Sequence, residues 1–188
     1  LSLLSRERPL SFEHMKSPDS SGRIVYHGVD FSGSKNAARK IWIASWDGLR
    51  PARMENGFSH RTLTERIASC AADGRRHAWL VDAPFALPVA LLDLHCVEPT
   101  WLATVEWLSS FPSPREWRRA CRKVSRKEPR RAVDVRFQTP LAPTNLRLFK
   151  QTWHCLVDLL KPLAQEGAVR VLPMQAADAA RSRERGEA

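Results

Sequence analysis

No apolar run in this chain approaches the roughly 18 residues that a membrane-spanning helix needs. The opening stretch, LSLLSRERPL, has no signal-peptide core. There is no CxxC pair: the four cysteines, Cys70, Cys96, Cys121 and Cys155, lie far apart. That spread argues against a disulfide or zinc frame and for reduced core thiols in a cytoplasmic protein. Cys96 follows His95, but adjacent side chains of a strand or helix point apart, which makes a poor metal clip. Apart from His154, which shares a helix face with Asp158, the histidines show no HxxxH or His-Asp pattern, and the serines no GxSxG elbow. No internal repeat is visible.

What remains is a basic chain of one-domain size. It has 188 residues, 43% of them hydrophobic, with 30 Lys+Arg against 20 Asp+Glu and a formal net charge of +10. That is enough apolar material for a core. The charge favours an anionic partner, such as nucleic acid or another phosphate-bearing substrate, and the lack of a long apolar run argues for no membrane.

Residues 1–22 are polar, with Pro9, Pro18 and the run SPDSSG, and are expected to be a disordered extension. RIVYHGVDF (23–31) reads as a strand and RKIWIASW (39–46) as a second, with Asp47-Gly48 a hairpin turn. LRPARMENG (49–57) is a weaker third strand, and Pro51 suggests an edge. The spacing of Leu63, Ile67, Cys70 and Ala71 predicts a helix over 61–74, stopped by Gly74. HAWLVDAPF (77–85) is nearly all apolar and is expected to be a strand buried on both faces. An irregular, helical stretch runs over 86–138. A long helix is expected over 143–163, capped at Thr144 or Asn145, with Leu146, Phe149, Trp153, Leu156, Val157 and Leu160 as its apolar stripe. AVRVLPM (168–174) reads as a last strand, and 175–188 as a charged tail.

This order, a hairpin meander followed by crossover units, implies an α/β domain with a mixed sheet. Helix 61–74 can bring strand 77–83 parallel to strand 24–30, on the side away from the hairpin. Asp30 and Asp82 then end neighbouring strands, about 4.8 Å apart. Two carboxylates at that spacing repel unless a cation lies between them. Hard divalent ions suit such oxygen donors, Mg²⁺ above all and Mn²⁺ beside it. The small residues Ser32, Gly33 and Ser34 would let a phosphate approach the backbone.

Five segments, GVDFSGS, RKIWIA, VDAPFALP, RFQTPLAPTNLRLFKQT and RVLPM, run in that order from about Gly28 to Met174. Together they resemble the domain of unknown function 429 family, whose members are predicted ribonuclease H-like nucleases. The resemblance implies a ribonuclease H-like fold over 23–174, with Asp30 and Asp82 matching the acids of the first and fourth strands. It also implies a further acid beyond RVLPM. Asp178, Glu184 and Glu187 lie there, in a tail with no apolar context.

The stretch 86–138 holds a second signal. SPREWRRACRKVSRKEPRR starts as a capped helix, with Ser113 at the N-cap, Pro114 at N1 and Glu116 at N3. Trp117, Ala120, Cys121 and Val124 share one face. Arg115, Arg118, Arg119, Arg122 and Arg126 share another, which suggests phosphate-backbone binding. Residues 115–136 hold ten Lys/Arg against three Asp/Glu, so most of the chain's surplus charge is here. Asp134 is a candidate third acid for a two-metal site. The tryptophans other than Trp117 are assigned to core or insert packing, and Asp158 to a bland pairing with Lys161. The expected activity is metal-dependent hydrolysis of phosphodiester bonds in nucleic acid, with Asp30, Asp82 and Asp134 catalytic and Asp30 and Asp82 holding the metal. The alternatives are a non-catalytic nucleic-acid-binding module with a degenerate acid site, and a phosphotransferase of the sugar-kinase and actin-like type.

Overall fold

Four strands, β1 Ile24–Asp30, β2 Trp42–Trp46, β3 Arg53–Asn56 and β4 Arg76–Val81, form one mixed sheet in the order β3-β2-β1-β4. The computed structural model that shows this describes residues 23–50 and 52–175. The expectations for residues 1–22 and for most of the charged tail lie outside the described residues. β1–β2 and β2–β3 are antiparallel, and β1–β4 is parallel, as the hairpin-then-crossover order requires. The hairpin turns at Gly48, whose φ of +84° favours glycine. Beside it the Asp47 carboxylate accepts the Leu49 and Arg50 N–H groups.

The crossover is α1, His60–Ala71. Ser59 caps it: its hydroxyl accepts from the Thr62 N–H, and Thr62 Oγ1 accepts from the Ser59 N–H. Leu63, Ile67 and Cys70 are its buried stripe, while Ala71, expected in the same stripe, is exposed. Four further helices follow β4: α2 Val89–Leu94, α3 Trp101–Ser109, α4 Pro114–Val124 and α5 Ala132–Arg136. In α4 the Ser113 cap, Pro114 at the first position and the buried Trp117 and Cys121 are as the sequence predicts.

The expected long helix starts at Phe149 rather than 143. It runs as α6 Phe149–His154, a π-helical segment Cys155–Leu160, and α7 Lys161–Gln165. Residues 142–148 form turns instead. The Asn145 side chain accepts the Arg147 N–H, and Leu146 is 67% exposed. The π segment has a cause in the sequence. Pro162 has no N–H and crowds the carbonyl four residues back, that of Asp158. This carbonyl accepts the Thr64 hydroxyl of α1 instead, at 3.2 Å.

Helices cover one face of the sheet, where Val29, Ile43, Leu63, Ile67, Leu156 and Leu159 join one core. Fully burying such an aliphatic side chain is worth about 1.5–3 kcal/mol. The other face carries Tyr26, Trp42, Trp46, Met54 and Leu80, all exposed. β4 is therefore not buried on both faces, and Trp42 and Trp46 are not core. The expected strand at 168–174 is absent as well. The Val171 N–H and carbonyl are both taken by Gln175, in a local turn that occupies the groups a ladder would need. This segment lies beside β4, lining with Trp79 and Val81 a cavity of about 470 Å³.

Candidate functional site

The two acids at the ends of β1 and β4 stand side by side. The parallel register pairs Val29 with Val81, and the Asp82 N–H donates to the Val29 carbonyl at 3.0 Å. Alternation along both strands puts Asp30 and Asp82 on the open face, with Gly28 and Leu80. Both are exposed, and both line one shallow cavity of about 480 Å³ with Trp42, Ala44 and Met54. Neither forms an ion pair among the described residues. Two carboxylates left without cationic partners, on adjacent strands, suit a hard divalent ion, which needs one or two carboxylates and fills its shell with water and phosphate.

The loop after β1 is packed from below. Gly33 is buried, and a Cβ there would lie 2.3 Å from the Gln151 nitrogen and 2.4 Å from the Lys150 carbonyl carbon. The glycine thus admits the backbone of α6 rather than a phosphate. Ser32 and Ser34 use their hydroxyls in successive turns, accepting the N–H groups of Ser34 and Asn36. The Gln151 side-chain amide ties α6 to both strand ends, donating to the carbonyls of Phe31 and Asp82.

Beneath this loop is a cluster with no expected role. The ring of His60, first residue of α1, makes a 2.7 Å hydrogen bond with the Ser32 carbonyl and stacks on His154 with centroids 4.5 Å apart. Burial pushes His60 below its ordinary pKa, against the opposing pull of the Ser32 carbonyl. His154 Nδ1 lies 2.7 Å from Asp158 Oδ2 and His60 Nδ1 lies 3.7 Å from it. The partners of Asp158 are therefore two histidines, not Lys161. The i, i+4 spacing of His154 and Asp158 was the available signal.

Asp134 does not join the two strand acids. It is 1% exposed, and its carboxylate accepts from the Arg131 backbone and guanidinium, the shortest of these bonds 2.6 Å. It closes the first turn of α5, and burial opposes its charge, but these hydrogen bonds hold its carboxyl below the usual range.

The arginine stripe divides. Arg118 donates to the Thr144 carbonyl at 3.0 Å and reaches Glu128, with its guanidinium over the Phe149 ring. Arg119 holds Glu116 at 2.8 Å. Arg122 donates to the Arg126 carbonyl. These three brace the insert against α6 or against itself. Arg115 and Arg126 are exposed and form no ion pair among the described residues, and Arg126 is not on the helical stripe, because α4 ends at Val124 with Ser125 extended. No family model, curated protein or solved structure matches this chain.

Proposed function

We propose that this chain is a ribonuclease H-like nuclease that hydrolyses phosphodiester bonds of nucleic acid with a divalent ion held by Asp30 and Asp82. The observation that carries the reading is the pairing, at one level of a parallel strand pair, of those two exposed carboxylates, neither in an ion pair among the described residues. The sheet order β3-β2-β1-β4 supports it, as do the five segments that resemble the domain of unknown function 429 family. Mg²⁺ or Mn²⁺ bound there would lower the pKa of a bound water and offset charge on the phosphate. Asp30 and Asp82 would hold that ion, and Gln151 would keep the two strand ends at a fixed spacing. Trp42 and Leu80 wall the cavity with apolar surface. The surplus charge of the insert would attract the polyanion, and α4 is docked on α6, the helix tied to the site.

The test is cleavage of single- and double-stranded DNA and RNA by the purified chain in Mg²⁺ or Mn²⁺. Asp30→Asn and Asp82→Asn should each lower the rate by on the order of 100-fold or more, as loss of a charge-stabilising group does. Melting temperatures should not move, because both side chains are exposed. Cleavage that survives both substitutions, or is absent from the wild-type chain with either ion, overturns the reading.

A further inference from the structure

The covered face of the same strand pair carries a second constellation. His27 of β1 is 3% exposed, Cys70 in the last turn of α1 is 7% exposed, and the side chain of His77 on β4 is 5% exposed. One ligand atom from each lies within 4.8 Å of the others. The two imidazoles face each other, His27 Nε2 to His77 Nδ1 at 2.9 Å. The far nitrogen of each ring has its own partner: His27 Nδ1 meets Ser45 Oγ at 2.8 Å, and His77 Nε2 meets Asp73 Oδ1 at 3.0 Å.

We propose that His27, His77 and Cys70 form a zinc site, with Ser45 and Asp73 as its outer shell and a fourth position open to solvent. Imidazole nitrogen and thiolate sulfur are the donor set that Zn²⁺ takes, and three protein ligands with one vacant position mark a site able to bind a further molecule. An outer carboxylate on a ligating histidine is the usual device that fixes its tautomer. Asp73 is placed for that role, its Oδ1 3.0 Å from His77 Nε2. Tetrahedral Zn–N bonds of 2.0–2.1 Å put two nitrogens about 3.4 Å apart, so the rings need to part by only about half an ångström.

The proton count closes. Ionised Asp73 accepts only, so His77 carries its proton on Nε2 and offers the Nδ1 lone pair. Without an ion, His27 donates from Nε2 to His77 and accepts the Ser45 hydroxyl at Nδ1. With Zn²⁺, His27 moves its proton to Nδ1, donates to Ser45 Oγ and turns the Nε2 lone pair to the metal. The Cys70 thiol gives its proton to solvent. The three ligands line a cavity of about 400 Å³. The arginines at its rim are matched by acids: Arg50 with Asp47, Arg53 and Arg66 with Glu55, and Arg75 with Asp73.

Cobalt reads this site, because a Co²⁺–thiolate bond gives a charge-transfer absorption that oxygen and nitrogen ligands do not. The full-length chain, stripped with EDTA and titrated with Co²⁺, should develop that band to one equivalent, and Zn²⁺ should abolish it. Cys70→Ser should remove the band, whereas Cys96→Ser, at an exposed cysteine, should keep it. Asp73→Asn should keep the band and weaken Co²⁺ binding by about 10–100-fold, the usual effect of losing an outer-shell partner. If Cys70→Ser does not fold, His77→Gln carries the test and should weaken binding beyond the roughly 100-fold upper end for an outer-shell change. Cobalt held by His60, His154 and Asp158 would show no sulfur band. A wild-type chain without the band, a band that persists in Cys70→Ser, or unchanged affinity in Asp73→Asn or His77→Gln overturns the proposal.

Discussion

Two glycines five residues apart meet opposite surroundings. Gly28, mid-strand on the open face, has nothing within 4 Å of where a Cβ would stand. Gly33 has the backbone of α6 at 2.3 Å. A side-chain neighbour can rotate away, but a helix backbone tied by Gln151 to two strand ends cannot. Gly33→Ala should therefore cost at least the 1–3 kcal/mol or so typical of overpacking. At about 2–4 °C per kcal/mol, thermal melting should register a clear drop. Gly28→Ala should instead stabilise by roughly 0.5 kcal/mol, because alanine loses less backbone freedom in a strand. Equal melting temperatures for the two variants would show that α6 gives way.

Among the elements, α4 shows how a charge pattern divides into scaffold and surface. Arg118 is a strut between Thr144, Glu128 and Phe149, so Arg118→Gln should lose about 1.5–3 kcal/mol, the range of a hydrogen bond to a charged group. Arg115→Gln and Arg126→Gln should leave melting unchanged. If those two meet phosphates, the log–log salt slope of nucleic-acid binding should shrink by roughly 0.7–0.9 for each phosphate no longer neutralised. A slope that falls only in Arg118→Gln would reverse this assignment. The helical face was legible from Trp117 and Cys121, and the neighbouring strands of Asp30 and Asp82 from the order of elements. The internal pairing of Arg118 was not, because Thr144 and Glu128 reach it through tertiary packing. The last strand was misread for a related reason: apolar alternation in AVRVLPM is real, but Gln175 takes the polar groups of Val171 locally. The histidine clusters escaped because their members come from separate segments, and only His154 and Asp158 share a helix.

For the whole molecule, pH tests the joint between α1, the β1 loop and the π segment. His60 sits there with its side chain 15% exposed, beside His154, Asp158 and the Ser32 carbonyl. Its folded pKa lies below the ordinary 6.5, chiefly through burial. The unfolded chain therefore takes the proton more readily, and stability present above pH 6.5 is lost as the pH falls below it. Melting temperatures between about pH 8 and 5 should fall more steeply for the wild-type chain than for His60→Gln. Parallel curves would mean that His60 titrates alike in both states. The parallel register of β1 and β4 has a wider consequence. His27 and His77 are 50 residues apart in the chain, and one loop closure sets them, and Asp30 and Asp82, side by side. Alternation then sends the oxygen donors to one face and the nitrogen donors to the other. The sheet thereby separates hard carboxylate oxygens from borderline imidazole nitrogens: a single folding event sorts them, and cations of unlike character would meet opposite sides of one backbone.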